Sequence, residues 1–178
     1  RVVSTGTAPS GLVLIDHATF SNAASFLQYG SLTVGTGGAV TAISAHDVAL
    51  QSTGDMNFTA SGVSLSVPSS GTALIGAAGN ISFTGTPIYV SGTLGVEADG
   101  SISLAGNATL SGRHLHLTAA NTISLANSTL NADETMALTA YGAGGITATG
   151  STLSAGTWDS DAPSLALSAY AGPISLTG

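Results

Sequence analysis

Arg113-His114-Leu115-His116 carries two imidazoles either side of an apolar residue, so in a strand both histidines point outward, about 7 Å apart. That is close enough for His114 and His116 to share a metal ion if a neighbouring segment supplied a third ligand. Trp158-Asp159-Ser160-Asp161 places the only tryptophan between small residues and beside two carboxylates, a setting in which Ca²⁺ or a carbohydrate could be held. Two carboxylates, Asp159 and Asp161, are few for calcium, and the plainer reading is a solvated loop with Trp158 folded against the body. Asp16-His17 and His46-Asp47 pair an acid with an imidazole, but adjacent residues of a strand face opposite ways, so neither pair is expected to act as base and orienter. Asn57, Asn80, Asn107 and Asn127 each open an Asn-x-Ser/Thr sequon and are candidate glycosylation sites, most of them expected by chance in so Ser- and Thr-rich a chain. No G-x-S-x-G, G-x-G-x-x-G or H-E-x-x-H pattern occurs.

What could position these residues is visible in a repeat. Asn80-Ile-Ser-Phe, Ser101-Ile-Ser-Leu and Thr122-Ile-Ser-Leu begin alike at equal steps, and a second apolar pair recurs in phase: Leu94 with Val96, Leu115 with Leu117, Met136 with Leu138. Looser versions extend the register, so that opening motifs fall near Ser31, Asp55, Asn80, Ser101, Thr122, Gly145 and Pro173. Within each motif apolar residues alternate with Ser, Thr or Asn, which is the period of a strand. Gly, Asn, Ser and Asp stand between the motifs and suit tight corners. Helix-forming residues are thin, with no Lys and only two Glu.

Short strands at a fixed period of about 21 residues can wind so that equivalent strands stack in parallel, roughly 4.8 Å per turn. The predicted fold is therefore all-β, a parallel β-helix of about seven coils over residues 31–178, preceded by a divergent coil or cap over residues 1–30. Ile81, Ile102 and Ile123 should form one buried ladder, with Phe83, Leu104 and Leu125 a second. Leu94, Leu115 and Met136, then Val96, Leu117 and Leu138, should form two more. A core this narrow accounts for the 5% aromatic and 6% charged composition.

The period also assigns neighbours to the reactive groups. Arg113 should stack on Glu134 as an inter-rung ion pair, an exposed contact contributing about 0–1 kcal/mol. His114 should face Thr93 and Thr135, and His116 should face Gly95 and Ala137, none of them a metal ligand, so an incidental surface role is favoured for both. The stretch from opening pair to second pair is shortest from Ile81 to Leu94, longer from Met56 to Ala73 and longest from Ile146 to Leu165. Loops should therefore leave one edge of the rod near Ser66–Gly71 and Thr157–Pro163. Thr does not recur at a fixed place in this register, which disfavours an ice-binding array.

The formal net charge of -7, with Arg1 and Arg113 the only Lys or Arg, disfavours nucleic acid and anionic membrane surfaces. No run of 18 apolar residues predicts a membrane-inserted helix. Cysteine is absent, which suits a chain threaded unfolded through an envelope, and the start at Arg1 reads as a processed or excised segment.

Gly79-Asn-Ile-Ser-Phe-Thr-Gly85, Leu115-His-Leu-Thr-Ala-Ala-Asn121 and Gly150-Ser-Thr-Leu-Ser-Ala-Gly156 resemble the repeats of filamentous-haemagglutinin-type exoproteins, the large secreted adhesins of bacterial two-partner secretion. The resemblance covers about residues 30–178. It implies a right-handed parallel β-helix serving as a stalk on the cell surface, an outer-membrane transporter as partner during secretion, and adhesion to a host-surface or carbohydrate receptor by other parts of a longer chain. Some members of that family carry glycans at sequons.

The functional expectation is a non-catalytic, cofactor-free extracellular rod. A self-assembling filament subunit is the alternative, because Gly172-Pro-Ile-Ser-Leu-Thr-Gly178 begins a coil that a second copy could complete through Arg1-Val2-Val3. A polysaccharide-active β-helix enzyme would need clustered carboxylates or a free basic residue beside a metal; nine scattered carboxylates and an already paired Arg113 disfavour it.

Overall fold

The computed structural model describes residues 13–15, 19–21, 24–28, 32–34, 41–44, 46–59, 63–156 and 164–178. Among them every regular element is a strand, and every pairing between strands is parallel. Alternation of small polar and apolar residues is what selects strands here, and the corners then decide how they stack.

The opening motifs build one sheet of eight strands, running through Val13–Ile15, Leu32–Val34, Met56–Thr59, Ile81–Thr84, Ile102–Ala105, Thr122–Ala126, Gly145–Thr149 and Ile174–Thr177. Each strand in it is separated from the next by at least one strand belonging to another sheet, so the chain circles once between neighbours. That is a parallel β-solenoid. Strands before residue 30 take part, since Val13–Ile15 pairs with Leu32–Val34 and Ala24–Gln28 pairs with Asp47–Ser52.

Register carries the ladders directly. Ile81 lies opposite Ile102 and Ile102 opposite Ile123, while Phe83, Leu104 and Leu125 align beside them. Leu94, Leu115 and Met136 align likewise, as do Val96, Leu117 and Leu138. All twelve side chains are buried. Phe58 and Phe83 stack inside the rod with centroids 4.7 Å apart and planes 13° from parallel, the arrangement rung spacing imposes on rings at one register position.

A third apolar column lies outside the two-marker repeat. Ile88, Leu110 and Leu130 are fully buried and align with one another and with Leu153. The steps between them are unequal, so they drift against the two markers and escape a search at fixed period. In two coils this segment fuses with the following one into the long strands Thr109–Ala119 and Thr129–Ala140. The coils that carry this column thus have a third apolar side where the repeat alone supplies two pairs.

Corners follow from residue type at a few positions. Asn127 (φ 49°) and Gly150 (φ 56°) sit in the left-handed region on adjacent rungs, where glycine is at ease and asparagine is among the more tolerant residues. Just beyond, the hydroxyls of Thr86, Ser128 and Ser151 donate to the carbonyls of Thr84, Ala126 and Thr149 at 3.0–3.1 Å, so the buried Thr86 and Ser128 are satisfied within their own turn. Gly145 (φ 64°) is required more strictly, since a Cβ there would collide with the carbonyl oxygen of Pro173.

Candidate functional site

Arg113 occupies a β-bulge. Gly112 pairs with Ala132 and His114 with Thr135, so Arg113 alone faces two residues, Asp133 and Glu134. The extra residue swings Glu134 beneath both side chains: its Oε1 lies 2.5 Å from Arg113 Nε and its Oε2 lies 3.4 Å from His114 Nε2. The other ring nitrogen of His114 lies 2.8 Å from Thr135 Oγ1. Both His114 nitrogens therefore have protein partners. His116 is exposed between Gly95 and Ala137. Among the described residues no group of three or more His, Asp or Glu is placed to hold a metal ion. With Arg113 nearly half exposed, the ion pair contributes about 0–1 kcal/mol.

His46 and Asp47 do meet, contrary to the expectation from strand alternation. His46 lies in a bend just before the strand Asp47–Ser52, so the rule that adjacent side chains face opposite ways does not reach it. Its Nδ1 is 2.9 Å from Asp47 Oδ2, and its Nε2 is 3.3 Å from the hydroxyl of Ser70, which sits on the protruding loop after the strand Val63–Ser66. The Thr72 N–H donates to Asp47 Oδ1 at 3.0 Å. The hydrogen bond from His46, then that from Thr72, hold the Asp47 carboxyl below its ordinary range.

Serine, imidazole and carboxylate thus stand in the order of a nucleophile, base and orienter. The His46 and Asp47 side chains are 62% and 67% exposed, however, so bulk water surrounds the imidazole and screens the contact. The arrangement also has a mechanical consequence. It ties the loop at Pro68–Ser70 back to the rung below, with Gly71 fitted so tightly under His46 that a Cβ would collide with the His46 carbonyl oxygen.

Of the sequon asparagines, two are engaged in the ladder. Asn57 Oδ1 accepts from the Ser82 hydroxyl at 2.6 Å, and Asn80 Oδ1 accepts from the Ser101 N–H at 2.9 Å while its amide donates to Asp55. Asn107 and Asn127 are exposed at left-handed corners and border a shallow groove with Thr109, Thr129 and Thr152. Those three threonines share one register position, which corrects the expectation that Thr never recurs in step. The recurrence is hidden in the sequence because it belongs to the drifting third column. The adjacent outward column is Ser111, Asn131 and Ser154, so the face is a single file of threonines and not a flat two-dimensional array.

The exposed aromatics form a second feature that the repeat does not announce. Tyr141 and Tyr170 are 51% and 71% exposed and stack with centroids 4.9 Å apart. Their alignment follows from Ala140 opposite Ala169, once the inserted residues between them are allowed for. Trp158, Asp159 and Asp161 lie outside the described residues. Fold and surface together define a parallel β-solenoid in which several polar side chains of the described residues bond from one rung to the next. No protein-family model, curated protein or solved structure matches the chain.

Proposed function

We propose that this chain is a non-catalytic structural rod, a stalk segment of a secreted bacterial surface adhesin or filament. In this reading it is a right-handed coil of about seven turns of the filamentous-haemagglutinin type. The observation that carries the reading is where the side chains are used. The apolar ones fill continuous ladders, and the polar ones whose contacts are resolved reach mostly along the axis: Asp55 to Asn80 to Ser101, Asn57 to Ser82, Arg113 to Glu134, His114 to Thr135. Such a surface supplies length and stiffness and leaves recognition to other modules. The short outer residues, few of them charged, also suit export through an outer-membrane transporter and display on the cell surface.

The test is cryo-electron microscopy of the purified chain together with binding to arrayed glycans and host-cell surface proteins. Straight rods that bind none of them are expected. A saturable ligand held by the chain itself would sink the stalk reading and make it the adhesive module.

End-to-end assembly is the second reading, favoured by one observation. Ile174 and Leu176 continue a ladder that is buried in the preceding rungs, yet they are 45% and 56% exposed, with Leu165 beside them at 46%. A further rung, from a second copy or from more of the same chain, would cover this apolar edge. Sedimentation over a concentration series distinguishes the two, because stacking predicts growing filaments and a stalk segment predicts one species.

A further inference from the structure

We propose that Tyr141 and Tyr170 form an oxidative cross-linking site, joined carbon to carbon as dityrosine between adjacent rungs. Their rings are nearly parallel at 14°, with centroids 4.9 Å apart. Each is held there by its own backbone, since the Tyr141 N–H donates to Ala119 O at 3.1 Å and the Tyr170 N–H to Ala140 O at 2.9 Å. Unlike the stacked Phe58 and Phe83, which are buried and carry no hydroxyl, both phenols stand at the surface within reach of an oxidant.

The chemistry needs a one-electron oxidant, here a haem peroxidase with hydrogen peroxide. Each phenol loses one electron and one proton to become a phenoxyl radical. The two radicals couple through the ring carbons ortho to oxygen, and the two hydrogens on those carbons shift to the oxygens to restore the phenols. The protein loses two hydrogens in all, and one hydrogen peroxide is reduced to two waters.

Competing sinks are few. There is no cysteine to quench the radicals, Met56 and Met136 are buried away from peroxide, and the remaining oxidisable aromatics are Trp158, Tyr29 and Tyr89. Holding both radicals on one scaffold replaces a rare encounter between molecules with a contact already made. The link would close the coil from Tyr141 to Tyr170, which contains the longest insertion between markers, and give a cysteine-free rod the inter-rung covalent tie that a disulfide provides elsewhere.

The experiment treats the full 178-residue chain with peroxidase and limiting hydrogen peroxide. The expected product is a monomer two hydrogens lighter with dityrosine fluorescence. Cleavage before aspartate should release residues 133–158 and 161–178 joined as one species. Tyr141→Phe and Tyr170→Phe should each abolish that species, whereas Tyr89→Phe, which removes another exposed phenol, should leave it intact. Absence of the joined fragments while free tyrosine in the same tube is coupled, or their survival in either of the first two variants, overturns the proposal. So does a product consisting only of dimers linked through Tyr29 or Tyr89.

Discussion

Asp47 shows how a single exposed carboxylate can fasten a loop without a cavity or a charge cluster around it. It receives hydrogen bonds from His46 and from the Thr72 N–H, and both favour its ionised form, so its folded pKa lies below the ordinary 3.8. Because the unfolded chain takes up that proton first, the contribution is fully present above the ordinary value and fades as pH falls through the depressed folded one. The Thr72 amide resonance should therefore titrate with an inflection below pH 3.8, and Asp47→Asn should remove it. An inflection at or above that value would mean the two hydrogen bonds do not form in solution. Asn127 makes a similar case for backbone. With φ at 49°, Asn127→Ala should cost about 1 kcal/mol by urea unfolding, whereas Asn127→Gly should be close to neutral. Equal effects of the two substitutions would remove the left-handed corner from the account. Strand alternation misplaces His46 for a definite reason: the residue stands just outside the strand to which the rule applies.

At the scale of the element, the ladders at the opening and second markers are legible because both keep one common period, and the register joins the same residues. The third column is not, because corners of varying length and the bulge at Arg113 shift it against that period from coil to coil. Its apolar residues are in plain view, yet only pairing reveals that Ile88, Leu110, Leu130 and Leu153 stack. Leu130 is the sharpest test of that column, being fully buried with a ladder partner above and below. Leu130→Ala should destabilise by about 2–5 kcal/mol in denaturant titration. A loss below about 1 kcal/mol, typical of a surface change, would return the column to the loops.

Among the described residues each strand pairs with the strands of the adjoining rungs, so stability should be distributed along the axis and not concentrated in one nucleus. Hydrogen exchange should be graded, slowest for amides of Ile102–Ala105 and Thr122–Ala126, which have paired strands on both sides, and fastest for Ile174–Thr177, whose ladder residues are half exposed. Uniform protection from one end to the other would indicate a single cooperative unit and exclude the nearest-neighbour picture. The same gradation bears on the proposed use as a stalk, since a rod that opens rung by rung yields to tension gradually.

Composition and period are enough to determine that this protein is all-β, repeats in step through its central coils and stacks its markers in parallel, because those properties depend on local alternation and spacing alone. The three-sided cross-section, the bulge that adds His114 to the Arg113–Glu134 pair, the Ser70–His46–Asp47 tie and the Tyr141–Tyr170 stack were decided only in three dimensions. Each depends on the local length of a corner or insertion, which sets the residue of one rung that meets a given residue of the next.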